Sequence, residues 1–459
     1  MLIRVGTRLQ KAIMEYSIMS IEGPARGGVM RRVLGVTLRV VLLFGLCQHA
    51  VAQSDGKSGP RFPRIASVQI GNGVGLANQE RLSAIGKSDV AILSLWPGWG
   101  PFNGMTMADV VDQIRADNPQ IIVAPYTNVT ETNDTRQVVP DKVSNEIGPA
   151  GKRDWWLRKS DGTRMSHWSD NHSINHSKFT TPDAKGQRFH GWYANYVTDT
   201  ILSKARFNAV YSDVMPPQAH VVADWNGDGI DDQRDSSIAI QAVTEGSAAY
   251  VNKLQELNPG KIRIGNLTQG FHPKRNLPAI YNGLLEGAIL EGFMGQSWSI
   301  EKWNGWQEMM KQYRRLMGAL REPKIAILNA HVHETDYRLM RYGLTSTLMD
   351  NGYFAVDPDG LPDFSWQFWY DEFDVDLGYA IDAPQTAAWS KGVYKREFQN
   401  GLVLINPRGN GPQTVGVGAG WKRFSGSQDP THNSGQPAST ILLAEADGII
   451  LLRADGGGS

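Results

Sequence analysis

Two apolar runs of this chain each end in a carboxylate. Phe207-Asn208-Ala209-Val210-Tyr211-Ser212 runs into Asp213, and Gly287-Ala288-Ile289-Leu290 runs into Glu291. Two carboxyl groups sharing a site suit glycosidic-bond hydrolysis: one attacks or stabilises an oxocarbenium-like centre while the other protonates the departing oxygen. Either residue alone could equally cap a turn or pair with Arg. The pairing carries the reading, with Asp213 and Glu291 as the catalytic candidates.

Aromatic residues cluster after the same kind of run. Trp96 and Trp99 follow one, Tyr126 ends another, and Trp155, Trp156 and Trp168 crowd the next loop; Trp366 and Trp369 follow a later one. Of 14 Trp, only Trp389 and Trp421 lie beyond residue 385. Sugar C–H faces stack on such rings, while acids, amides and His bind the hydroxyls; core packing is the competing use of any single ring. The candidate sugar-binding residues are Trp96, Tyr126, Trp168, His331, His333, Glu334, Asp371 and Glu372.

Two motifs suggest metals. Asp224-Trp225-Asn226-Gly227-Asp228-Gly229-Ile230-Asp231-Asp232-Gln233-Arg234-Asp235 has the D-x-N-x-D-G spacing of an EF-hand-like loop. Asp224, Asn226, Asp228, the Ile230 carbonyl, Asp232 and Asp235 would offer hard oxygens to a structural Ca²⁺, beside the alternative of a solvated acidic turn. His331-Val332-His333 invites a zinc reading, because i and i+2 share a strand face. Sugar binding and a structural role compete with it.

These residues must be held by a frame. The runs Ile65–Ile70, Val90–Leu95, Ile121–Pro125, Ala209–Ser212, Ile262–Gly265, Ala288–Leu290, Ile325–Leu328 and Tyr353–Val356 are apolar with few interruptions, as in parallel strands covered on both faces. Helical periodicity lies between several of them, at 192–205, 236–257, 300–320 and 336–349. Eight such alternations predict an α/β fold, a (β/α)8 TIM barrel over 62–385, with chemistry at the C-terminal strand ends. An open doubly wound sheet is the alternative, but no G-x-G-x-x-G follows the first strand. From residue 386 to 459, short runs divided by Gly, Pro and Asn predict a small antiparallel β-sandwich.

Residues 1–52 read as an address. Arg31 and Arg32 precede the apolar run Val40–Cys47 and Ala50-Val51-Ala52, which form a signal peptide starting at Met30 and too short to span a membrane. Residues 53–61 read as a linker. The lone Cys lies in the leader, so no disulfide framework and no Cys-based zinc cluster is expected. The 46 Lys+Arg balance 46 Asp+Glu, but the leader is basic and the remainder mildly acidic. Nucleic acid is therefore an unexpected partner. So is a membrane after cleavage. The expected location is exported, in a bacterial periplasm or outside the cell.

Taken as a set, W-W-L-R-K-S-D-G-T-R (155–164), N-A-V-Y-S-D (208–213), D-W-N-G-D-G (224–229), A-I-L-E-G-F (288–293), D-N-G-Y-F-A-V-D (350–357), W-Y-D-E-F-D-V-D-L-G (369–378) and R-E-F-Q-N-G-L-V-L-I-N-P (396–407) resemble secreted (β/α)8 glycoside hydrolases of the glycosyl-hydrolase-like group, distantly similar to α-galactosidase and α-amylase barrels and carrying a C-terminal β-domain. The resemblance implies a retaining mechanism with Asp213 as nucleophile and Glu291 as acid/base. Glu291 departs from both relatives: the α-galactosidase-like barrels usually have Asp on strand six, and the amylase-like ones carry the acid on strand five. The expected activity is hydrolysis of a poly- or oligosaccharide without an organic cofactor. A non-catalytic carbohydrate-binding barrel and a His-ligated metallohydrolase remain the alternatives.

Overall fold

Eight strands form one parallel sheet: β1 (Ala66–Gln69), β2 (Val90–Leu93), β3 (Ile122–Asn128), β4 (Ala209–Asp213), β5 (Ile262–Asn266), β6 (Gly287–Met294), β7 (Ile325–Val332) and β8 (Tyr353–Pro358). Each pairs with its sequence neighbour. The ring closes where Ile65 bridges Phe354 in parallel and the Phe354 N–H donates to the Arg64 carbonyl at 2.9 Å. The structure is a computed structural model that describes residues 60–454 except 72, 134–142, 148–152, 168–170, 216–217, 269–276 and 359–367. The expected leader, Trp168 and Trp366 lie outside the described residues.

Alternation along each strand sorts side chains into two layers. Ala66, Val68, Val90, Ile92, Ala124, Ala209, Tyr211, Ile264, Ile289, Ile325, Ile327, Tyr353 and Ala355 fill the barrel's interior. Their neighbours Leu93, Val123, Val210, Leu290, Leu328, Phe354 and Val356 join the cluster shared with the surrounding helices. Both faces are buried, which is why these runs read as nearly continuous apolar stretches. Truncating one of the central Ile residues to Ala would cost about 2–5 kcal/mol.

The crossovers carry α1 (Gln79–Gly86), α2 (Met107–Asp117), α3 (Phe189–Val197), α4 (Ser237–Leu257), α5 (Ile300–Ala319) and α6 (Tyr337–Leu348). Their starts are written locally. Thr106 and Asp109 form a reciprocal capping box on α2, and Ser236 and Asp336 accept from Ala239 and Leu339 to cap α4 and α6. The helix expected over 192–205 instead ends at Val197 and continues as a π-helical turn, Thr198–Leu202. Between β5 and β6 the described residues hold a 3₁₀ turn, Ala279–Tyr281, rather than an α-helix; Pro278 precedes it. No helix among the described residues is long and apolar enough to cross a membrane.

After the barrel come β9 (Tyr394–Glu397), β10 (Gly401–Asn406), β11 (Gln413–Gly416), β12 (Trp421–Arg423), β13 (Thr440–Leu443) and β14 (Asp447–Arg453). An antiparallel sheet ordered β9-β10-β14-β12 faces the β11-β13 ribbon across Leu402, Leu404, Val415, Ile441, Leu443, Ile449 and Leu451. Its other face, Val403, Ile405 and Ile450, belongs to the barrel's own core cluster. Arg396 on β9 is fully buried and donates to the carbonyls of Leu348 (2.9 Å), Asp350 (2.6 Å) and Asp382 (3.2 Å) and to Asn351 Oδ1 (2.7 Å). Arg341 on α6 meets Asp429 at 2.6 Å and Asp447 at 3.2 Å.

Candidate active site

The interior register continues upward into polar residues. Two positions beyond Ala124, Tyr211, Ile264, Ile289, Ile327 and Ala355 stand Tyr126, Asp213, Asn266, Glu291, Asn329 and Asp357, and His331 lies two beyond Asn329. All are at the C-terminal ends of their strands, where this fold keeps its chemistry.

Asp213 and Glu291 meet through a third residue. One atom, Asn266 Nδ2, donates to Asp213 Oδ1 and to Glu291 Oε2, each at 2.9 Å. The two oxygens are therefore no farther apart than two such bonds end to end. Asn266 Oδ1 accepts from the Thr268 N–H at 3.1 Å and its hydroxyl at 2.8 Å, which turns the amide nitrogen toward the acids. The Glu291 N–H in turn donates to the Thr268 hydroxyl at 2.6 Å. Tyr126 donates to Asp213 Oδ2 at 2.7 Å, and Tyr211 to Oδ1 at 3.3 Å. The Val214 N–H reaches the same Oδ1 at 2.9 Å, with Val214 at φ +50°. A β-branched residue in that region is strained, and such strain persists where surrounding contacts over-determine it.

The acids repel one another in a dry place. Burial, then the Asp213 charge, pushes Glu291 up to about 7, with the Asn266 hydrogen bond opposing. Burial also lifts Asp357 to about 7, opposed by Asn329 and reinforced by Glu291. Glu131, buried beside this group, rises to about 7 from burial and then Asp213, with Asn128 opposing. A group balanced near neutrality can both give and take a proton.

The pairing of β6 with β7 is broken just after Leu290. Leu328 pairs with Leu290, but Ala330 pairs with Met294, so the intervening residues of β6 and β7 are out of step. Gly292 sits in that bulge at φ +57°, and a Cβ there would collide with the Trp298 ring. Trp298 is 41% exposed and stands edge-on to His331, centroids 5.4 Å apart.

The other expected residues are dispersed. His333 and Glu334 lie beyond the end of β7, where strand alternation no longer applies, and both are exposed; His333 contacts the Thr335 hydroxyl at 3.2 Å. Asp371 accepts from the Ser427 hydroxyl at 3.0 Å and the Gln428 N–H at 3.0 Å, and Glu372 from Asn433 at 2.7 Å; both face the C-terminal sheets. Trp96 packs on Phe102, centroids 6.3 Å apart. In the acidic loop, Asp224 accepts from the N–H groups of Gly227, Asp228 and Gly229, Asp228 from that of Ile230, and Asp232 from that of Trp225. Asn226 donates to Asp228 at 2.9 Å, Ile230 is 68% exposed and Asp235 is exposed. Burial raises the Asp232 pKa, with Asp228, Asp224 and Asp231 adding to it. Among the described residues, the His and carboxylate atoms that gather within 4.8 Å of one another are those of Glu291, His331 and Asp357.

Sequence reasoning did not single out Tyr211, Asn266, Asn329, Asp357, Glu131 or Trp298. For Asn266, Asn329 and Asp357 a signal existed: each continues the interior alternation of an apolar run.

A family model, the hypothetical glycosyl hydrolase family 15, matches residues 115–402, more than half of the sequence and all of the lumen residues above. The chain belongs to this family. No curated protein matches it. Among solved structures, this member of the hypothetical glycosyl hydrolase family 15 is similar to an Anoxybacillus α-amylase at 10% identity and a TM-score of 0.42, covering 86% of this chain and 98% of that one. It is similar to the Geobacillus thermoleovorans α-amylase at 7% identity and 0.45, covering 85% and 98%. It is also similar to the family 36 α-galactosidase AgaA of Geobacillus stearothermophilus at 10% and 0.42, covering 85% of this chain and 56% of that one. The eight-stranded parallel sheet closed at Ile65 and Phe354 bears out the expected (β/α)8 arrangement, and the family match bears out the assignment to a glycosyl hydrolase family.

Proposed function

We propose that this family member hydrolyses a poly- or oligosaccharide with retention of anomeric configuration. The observation that carries the reading is the single Asn266 nitrogen at 2.9 Å from both acids. A separation of about 5–5.5 Å is what a nucleophile and an acid/base need, whereas inversion leaves room for water at roughly 6.5–9.5 Å.

Protonated Glu291 gives its proton to the glycosidic oxygen as that oxygen's bond to the anomeric carbon breaks. Asp213, aimed by Tyr126, Tyr211 and the Val214 N–H, forms the new bond to that carbon. Glu291, now a carboxylate, takes a proton from water, whose oxygen displaces Asp213. The Glu131 carboxyl and the Asn266 amide shape the field at Asp213, and Trp298 offers a ring against Gly292 and His331.

The test is a screen of bacterial and plant polysaccharides for released reducing ends, with Asp213→Ala as control and the product anomer read by NMR. First-formed product of unchanged configuration supports the mechanism; inverted product overturns it. Oligosaccharide binding that survives in Asp213→Asn, with no release by wild type, would favour a binding barrel. The calcium at 224–235 and the export read from residues 30–52 belong to the same proposal. Calorimetric Ca²⁺ titration against Asp224→Ala, and the N-terminus of the product recovered outside the cytoplasm, test them.

A further inference from the structure

We propose that Glu291, His331 and Asp357 form a binding site for a divalent transition-metal ion of the Zn²⁺ class, at the C-terminal mouth of the barrel. One ligand atom from each residue lies within 4.8 Å of the other two. His331 pairs with Asp357 in the β7–β8 register, so the two side chains stand abreast in the lumen. His331 Nε2 is 3.6 Å from Asp357 Oδ2. That spacing is too long for a hydrogen bond. It suits two ligands of one ion: with bonds of about 2.0–2.2 Å in tetrahedral arrangement, ligand atoms lie roughly 3.3–3.6 Å apart.

An independent observation comes from Asn329, one alternation below His331 on the same lumen face. It is fully buried at 0% exposure, and neither Oδ1 nor Nδ2 makes a hydrogen bond among the described residues; the same is true of Asp357 Oδ1, at 2% exposure. Asn329 is close enough to hold the Asp357 carboxyl down, yet the two miss bonding geometry. Buried polar groups left this way call for a ligand that is not protein. No described Lys or Arg pairs with Glu291 or Asp357. One imidazole and two carboxylates leave a fourth position open toward the mouth, and N/O donors of this kind select a borderline transition metal over Ca²⁺.

The site rests on side-chain geometry and is read by metal binding, so it stands or falls separately from hydrolysis. It also has a consequence for hydrolysis. A Glu291 oxygen bound to the ion holds no proton to donate, so the bound ion inhibits the glycosidase and substrate competes with it.

The experiment is titration of metal-depleted full-length protein with Zn²⁺ against a chromogenic chelator, in excess Ca²⁺ to occupy the oxygen loop. Co²⁺ is then substituted and its visible spectrum recorded. One ion per chain and tetrahedral Co²⁺ bands are expected. His331→Gln and Asp357→Asn should weaken binding by at least ~100-fold, since even residues that only support a ligand cost about 10–100-fold. Asp224→Ala should bind as wild type does. Equal affinity in wild type and His331→Gln, with melting curves showing both folded, overturns the site. So does Zn²⁺ binding that Asp224→Ala removes.

Discussion

Thr268 holds Asn266 by its oxygen, through hydrogen bonds of 3.1 Å from the backbone and 2.8 Å from the hydroxyl. The consequence is that the Asn266 nitrogen, and not its oxygen, confronts Asp213 and Glu291. Asn266→Asp would replace a shared donor by a third acid. The expected result is a kcat lower by about 10²–10³, the loss seen when one preorganised donor is removed. Rates in Asn266→Asp and Asn266→Ala decide it: the aspartate should be the worse of the two.

The pH profile follows from the direction of the Glu291 shift. Its carboxyl sits near 7 because of burial and the neighbouring Asp213 charge. The alkaline limb of kcat/KM should fall near pH 7 as the acid loses its proton. Removing the Asp213 charge removes a raising cause, so Glu291 in Asp213→Asn should titrate lower. NMR titration of the Glu291 carboxyl carbon in both proteins measures the difference.

Ionising the buried acids should cost stability. Glu291 and Asp357 have folded pKa values raised from 4.5 and 3.8 to about 7. The folded state then binds more protons than the unfolded one between about pH 4 and 7, and stability falls as pH rises through that window. Asp357→Asn removes the cost of ionising a buried acid. It should stabilise the fold above pH 7 by on the order of 1 kcal/mol or more, which raises the melting temperature there, and do little at pH 4. A thermal scan at the two pH values shows whether the gain depends on pH.

Trp298 should act on substrate binding. Its ring stands against Gly292 and edge-on to His331 because that glycine leaves room for it. Trp298→Ala should raise KM for oligosaccharides about 2–10-fold, equivalent to ~0.5–1.5 kcal/mol of aromatic contact, with a smaller change in kcat. Gly292→Ala, which displaces the ring, should do the same and lower kcat as well by moving Glu291.

The strands and their order were legible because burial on both faces writes continuous apolar runs, and each run fell on a strand. Strand ends were less legible. β6 continues to Met294 through a glycine bulge and β7 to Val332, so Asn329 and His331 fall inside β7 rather than after it. Asp213 and Glu291 stood out as acids ending apolar runs, whereas Asn266, which joins them, is an ordinary amide. Asp371 and Glu372 carried the same acidic signal as the lumen residues. Their direction depends on a 3₁₀ turn, Asp371–Asp374, and on loop 427–433, far along the chain. Local pattern contains nothing about that encounter.

Arg396 ties the last strands to the barrel by satisfying backbone carbonyls at the end of α6 and in the turn before β8. Those carbonyls belong to the barrel, and their donor comes from a sheet that is synthesised after it. A chain emerging from the ribosome thus completes its eight strands before it owns the cation that stops that turn from being an unsatisfied, buried cluster of acceptors. The foot of β8, at the end of the barrel opposite the catalytic mouth, is secured only once β9 has been made.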